Sequence, residues 1–252
     1  YTLSLHELFR SHIDLITVKG RKLLEEADMV IYAGSLVSEE HLKFCKDSCQ
    51  IYNSASMTLE EIVDKMEEAV KEGLRVVRLH TGDPTIYGAI QEQMDLLEKR
   101  GINYEVIPGV SSFTAASSAI KREFTLPDVS QTVILTRIEG RTKVPEEEDL
   151  ELLAKHQASM ALFLSVKYMD RVVEKLKKGF GREDVPVAVV YKATWEDEKI
   201  IRGTLRDIKE KVEEEGIIKT AIILVGDFIK GEYERSKLYD PSYSHEYREA
   251  RR

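Results

Sequence analysis

Short apolar runs alternate with longer amphipathic stretches along the first half of the chain. Residues 29–33 (MVIYA) are apolar without a break, as in a strand buried on both faces, and Lys22, Leu23, Leu24 and Ala27 before them fit a helix. Thr58-Leu59-Glu60-Glu61 is a capping box, after which Leu59, Ile62, Met66 and Val70 recur at helical spacing. Residues 76–79 predict a strand and Thr81-Gly82-Asp83-Pro84 a turn. Ile86, Ile90, Met94 and Leu97 then predict a helix that stops at Gly101. Residues 104–107 predict another strand, closed by Pro108-Gly109, and residues 113–119 a helix of small side chains. Strand and helix in alternation, with few hairpin signals, predict a parallel sheet with helical crossovers.

After Pro127 the pattern begins again. Strands are expected at 132–136, 161–164, 187–191 and 221–225, with helices at 150–155 and 205–215. Val172, Val173 and Leu176 mark a third helix ending near Gly179. Residues 200–201 lie close enough to 187–191 to pair antiparallel, so this half is expected to hold a mixed sheet. The reading is of an α/β chain with two α/β domains: 1–126 with a parallel sheet, 127–230 with a mixed sheet, and a loosely held polar, tyrosine-rich tail at 231–252.

Composition narrows the chemistry. The formal net charge of −8 argues against a broad nucleic-acid surface, which needs a basic stripe. It also means that an anionic ligand must be drawn by a local basic cluster. No apolar run approaches the roughly 20 residues that span a bilayer, and no signal pattern opens the chain; a cytoplasmic address is expected. Cys45 and Cys49 are the only cysteines, and their i, i+4 spacing would put both on one face if that segment is helical. With no further thiol beside them, they read as ordinary thiols, and no metal site is expected.

Ligands of open α/β sheets bind at the carboxyl ends of the strands. Three such loops carry apt residues. In His80-Thr81-Gly82-Asp83-Pro84-Thr85-Ile86-Tyr87-Gly88, glycine lets backbone approach a ligand and proline fixes the turn, although Gly-Asp-Pro alone is a common turn. Pro108-Gly109-Val110-Ser111-Ser112 leads into the small-residue helix and fits tight helix–sheet packing as well as a ligand. Residues 136–145 gather Arg137, Arg141 and Lys143, which by themselves could be a solvated charged loop.

Taken together, HTGDPTIYGA, IPGVSS, QTVILTRIEGRTKVP and VYKATWEDEKI resemble the tetrapyrrole methylase family over residues 14–225. The last two segments are similar to the branch that methylates C-11 of precorrin-4 or cobalt-precorrin-4. The resemblance implies a methyltransferase of cobalamin biosynthesis that uses S-adenosyl-L-methionine, a site in the cleft between two domains, an anionic tetrapyrrole substrate and a homodimer. Carried over by position, the cofactor contacts fall on Thr81, Gly82, Asp83, Ile86, Ser111, Ser112, Ser165 and Ala193. Arg137, Arg141, Lys143, Lys192 and Lys19 could meet substrate carboxylates, and Tyr87 or Trp195 the flat ring. No catalytic base is assigned; Asp83 and His80 lie nearest. Residues 1–12 contain no glycine or proline where family members carry an apolar strand and a Gly-Pro-Gly-Asp turn. The alternatives are methylation at another ring position (C-2/C-7 of uroporphyrinogen, or C-20) and a catalytically inactive tetrapyrrole-binding protein. Diphthine synthase shares the fold but acts on a protein, which the basic loop disfavours.

Overall fold

The computed structural model describes residues 3–7, 12–34, 37, 39–234 and 236–250, the first of these stretches by backbone alone. The chain divides into two compact units, 1–115 with Thr194–Glu196, and 116–193 with 197–252.

The first unit is built on five strands: β1 (Leu3–Glu7), β2 (Met29–Tyr32), β3 (Gln50–Asn53), β4 (Val76–His80) and β5 (Tyr104–Val106). All pair in parallel, in the order β3-β2-β4-β1-β5. Alternate residues of β2 and β4 face opposite layers, as the pleat requires. Met29, Ile31 and Val76 pack against Ile62, Met66 and Leu97, while Val30, Tyr32, Val77 and Leu79 pack against Leu24. The helices are α1 (Val18–Glu26), α2 (Leu59–Lys71) and α3 (Gln91–Lys99). The capping box forms: Glu61 N donates to Thr58 Oγ1 at 3.2 Å, and Thr58 N donates to Glu61 Oε2 at 2.7 Å.

Three expectations are revised here. Residues 3–7 do form a strand, paired between β4 and the edge strand β5; the atypical residues 1, 2 and 8–11 lie outside the described residues. Helix α3 begins at Gln91, so Ile86 lies in a turn and not on the helical stripe. The break comes from left-handed backbone at Tyr87 (φ 58) and Ala89 (φ 50), which no helix accommodates. Cys45 and Cys49 follow a 3-10 turn (Glu39–Phe44) and do not share a helix face; both are free thiols.

The second unit holds β6 (Val133–Arg137), β7 (Ser159–Phe163), β8 (Pro186–Tyr191), β9 (Lys199–Thr204) and β10 (Ala221–Val225), ordered β6-β7-β10-β8-β9. Only β6 and β7 pair in parallel, so the sheet is mixed as expected. β7 and β8 both run antiparallel to β10 between them, so the carboxyl ends of β6, β7 and β8 reach one edge. Helix α4 (Ser112–Ala119) crosses the division between the units; α5 (Leu150–Ala154), α6 (Met169–Phe180) and α7 (Ile208–Glu214) belong to the second. α5, α6 and α7 cover one face of its sheet through Leu150, Leu176 and Ile208.

Helix α6 runs through Gly179 and ends at Gly181, which takes the left-handed cap at φ 69. Gly179 is glycine for a different reason. A Cβ there would stand 2.4 Å from the Glu151 carbonyl oxygen and 2.5 Å from Ala154 Cβ, so α5 and α6 touch backbone to backbone. The tail is bonded to itself: Arg248 Nη2 donates to the carbonyls of Leu238, Asp240 and Tyr243. Among the described residues no helix is long and apolar enough to cross a membrane.

Candidate ligand loops at the sheet edges

In the first unit the expected loops follow β4 and β5, with β1 between those strands. Gly82 is buried and left-handed (φ 72), a conformation that favours glycine and brings main chain rather than side chain to the surface of the loop. Asp83 joins the two loops. Its Oδ1 accepts from Thr85 N at 3.0 Å and from the Thr85 hydroxyl, and its Oδ2 accepts from Gly109 N at 3.2 Å. Both carboxylate oxygens are therefore engaged in shaping backbone. Ile86 N returns to Asp83 O at 3.1 Å and closes the turn. Thr81 and Ile86 are half-buried, Tyr87 is exposed, and Ser111 and Ser112 are buried at the start of α4.

His80 ends β4 and is buried, with Nε2 lacking a hydrogen-bond partner among the described residues. Burial, helped by the nearby Arg78 cation, pulls its pKa down to about 3. The imidazole is neutral at physiological pH and presents an unsatisfied nitrogen directly before Thr81-Gly82-Asp83. Lys19, the basic residue expected here, is paired with Glu105 at 2.5 Å.

In the second unit the loops after β6 and β7, two of the three at the shared sheet edge, are joined as well. Ser165, fully buried, donates to Phe163 O at 2.6 Å and accepts from Ile138 N at 2.9 Å, so the end of β7 is bonded to the loop after β6. Its hydroxyl is consumed by that task, which leaves main chain as what it can offer a ligand. Ala193 is buried after β8, flanked by left-handed Lys192 (φ 46) and Thr194 (φ 70).

Arg137 is used differently from the expected carboxylate clamp. Its Nη1 donates to the carbonyls of Ile138 at 3.3 Å and Thr142 at 3.2 Å, and its Nη2 to that of Lys143 at 2.8 Å. The guanidinium thus folds its own loop. Gly140 lets that loop close on Tyr168, whose hydroxyl would lie 3.1 Å from an added Cβ. Arg141 and Lys143 remain exposed, and neither cationic head has a partner among the described residues. Lys192 is paired with Asp197, and its pKa is raised by that bond. Trp195 lies in Thr194–Glu196, which belongs to the first unit.

Leu164 was not singled out by the sequence. It is 69% exposed and left-handed (φ 53), between Phe163 and Ser165. Non-glycine residues in this region cost roughly 1–3 kcal/mol and gather at functional sites. Tyr87, Ala89, Leu164, Lys192 and Thr194 all do so in loops with expected cofactor contacts. Strain of this kind has no signature in residue type, so only coordinates reveal it.

These loops have counterparts in known proteins. The family model of the Tetrapyrrole (Corrin/Porphyrin) Methylases matches residues 11–209. A cobalt-precorrin-4 C(11)-methyltransferase of Methanocaldococcus jannaschii is 60% identical over 238 residues, covering 94% of this chain and 92% of the relative. One from Priestia megaterium is 50% identical and covers 93% of each. The X-ray structure of a cobalamin biosynthetic enzyme, cobalt precorrin-4 methyltransferase, superposes with a TM-score of 0.87 at 49% identity, over 90% of this chain and 95% of that one.

Proposed function

Because the chain belongs to the tetrapyrrole methylases, we propose that it transfers a methyl group from S-adenosyl-L-methionine to C-11 of a precorrin-4-level ring in cobalamin biosynthesis. The observation that carries the ring position is the 60% identity, over nearly the whole of both chains, to a relative named for C-11 methylation. Because that relative and the 50% one are both named for cobalt-precorrin-4, the cobalt-containing ring is the substrate we favour.

The loops suit the cofactor by their chemistry. Buried left-handed Gly82, the orphaned His80 nitrogen and the buried Ser111 and Ser112 hydroxyls present polar groups at one sheet edge. Thr81, Gly82, Asp83, Ile86, Ser111 and Ser112 would hold it in the first unit; Ser165 and Ala193 are the proposed contacts in the second. Bound adenosylmethionine supplies a methyl that is already electrophilic, so the chain need not provide a nucleophile. The residues' work is to bind, orient and exclude water. Asp83 contributes as the tie between two loops, since both its oxygens are occupied. His80 stays neutral near pH 7 and serves as a hydrogen-bonding partner. Arg141 and Lys143 draw the ring's carboxylates, an attraction needed because the net charge of −8 repels a polyanion. Arg137 keeps their loop in shape.

The test is incubation with isotopically methyl-labelled adenosylmethionine and either cobalt-precorrin-4 or its metal-free form. One methyl gained, located at C-11 by NMR, is the expected product; label at another carbon overturns the assignment. We also propose a cytoplasmic homodimer, and light scattering that reports a monomer at micromolar concentration would overturn the assembly.

A further inference from the structure

A buried run of polar contacts leads from the middle of the first sheet to the loop at its carboxyl end. Arg78 lies on β4 and is 4% exposed, a rare setting for a guanidinium. Its Nη1 donates to the Ile31 carbonyl at 3.0 Å and the Leu79 carbonyl at 3.3 Å, and its Nε to Gln93 Oε1 at 3.2 Å. Gln93, 5% exposed in the first turn of α3, donates from Nε2 to the Ala89 carbonyl at 3.1 Å. Ala89 is one of the left-handed residues that break the expected helix.

The chemistry of these groups makes the run directional. A guanidinium only donates, so it fixes the amide oxygen of Gln93 towards itself. The amide nitrogen is then aimed at Ala89, whose strained conformation persists only where neighbours over-determine it. Residues 81–90 are thereby fastened at two places. Asp83 ties one end to Gly109 N, Gln93 ties the other at Ala89, and Ile86 lies between.

We propose that Arg78 and Gln93 are positioning residues that give residues 81–90 the shape in which they receive adenosylmethionine. This inference rests on the reading of that loop as a cofactor loop. Neither side chain touches the cofactor; each acts through the Ala89 carbonyl.

Gln93→Glu separates shape from stability. A carboxylate keeps the acceptor for Arg78, and adds an ion pair, but sets an oxygen against the Ala89 carbonyl. Gln93→Met fills a similar volume and removes both bonds. The probe is S-adenosylhomocysteine in calorimetry, with thermal melts and steady-state kinetics alongside. Gln93→Glu should melt at or above the wild-type temperature and yet bind the probe roughly three- to tenfold more weakly. The KM for adenosylmethionine should rise by the same factor, with kcat at saturating cofactor and the KM for the ring little changed. Gln93→Met should weaken binding at least as much and melt lower. A wild type that binds no S-adenosylhomocysteine overturns the cofactor reading and this inference with it. A wild type that binds it, with both folded variants at the wild-type Kd, overturns this inference alone.

Discussion

The loop after β4 and the loop after β6 differ in how their side chains shape them. Each must hold irregular main chain at a sheet edge. Residues 81–90 borrow their fastenings: Gly109 N from the next loop and the Gln93 amide from α3. Residues 137–145 add a fastening of their own: Arg137 turns back on the carbonyls of Thr142 and Lys143, while Ser165 and Arg171 hold Ile138 N and the Glu139 carbonyl from outside. The difference teaches that a cluster of basic residues is not a uniform ligand surface. One cation spends its hydrogen bonds on the loop, and the two held out by that loop, Arg141 and Lys143, stay available.

The largest expected effect breaks the borrowed arrangement. Gly82→Arg puts a long side chain at a buried, left-handed position in a loop rather than a core. S-adenosylhomocysteine binding should be lost, by a factor of at least about 100, while circular dichroism stays native. Unchanged affinity in a folded variant would remove this loop from the cofactor site.

Next in size, the second loop can be tested for the division of labour among its cations. Arg141→Ala should weaken ring binding roughly ten- to several-hundred-fold, as loss of a desolvated guanidinium–carboxylate pair does. Cofactor affinity should hold, and the salt dependence of ring binding should shrink. Arg141→Lys should rescue only part, because lysine keeps the charge but loses the planar fork. Arg137→Ala should instead raise proteolytic cleavage within residues 137–145, a change Arg141→Ala should not produce. Equal cleavage in the two variants would erase the distinction.

A third pair of variants compares two glycines of one helix. Gly179→Ala drives a methyl into the Glu151 carbonyl and should cost about 1–3 kcal/mol in denaturant unfolding. Gly181→Ala meets open space and strains only its left-handed backbone (φ 69), at roughly 1 kcal/mol. Equal costs would mean that α5 and α6 yield more readily than their backbone contact suggests.

The smallest effect is a slope. His80 titrates near 6.5 when unfolded and at about 3 in the fold, so below pH 6.5 the unfolded chain binds a proton that the native one refuses. Its contribution is complete above 6.5 and is lost as pH falls from there towards 3. Asp28 and Asp149 are held low, by the Arg75 N–H with Lys46 and by Lys175 respectively, and add their own losses further into acid. Melting temperatures of His80→Gln should therefore fall less than wild type between pH 6.5 and the carboxylate range. Parallel curves would show that His80 is not held neutral by burial.

Much of the framework was legible in the residues themselves. Apolar runs at 29–33 and 221–225 became strands because a strand buried on both faces admits little else. The Thr58 capping box formed because its bonds are local in sequence. Motif strings marked the turns after β4 and β5 for the same reason, since a turn's glycine and proline act within a few residues. What tertiary structure alone decided depends on partners distant in sequence or on backbone conformation. Leu3–Glu7 became an interior strand despite its unusual residues, because the parallel edges of β4 and β5 took it in. Gly179 and Gly181 look equivalent until α5 lies against one of them. Arg137 and Arg141 are the same amino acid in one loop, and only the fold turned one inward to its carbonyls and left the other in water, where its charge is free for a ligand.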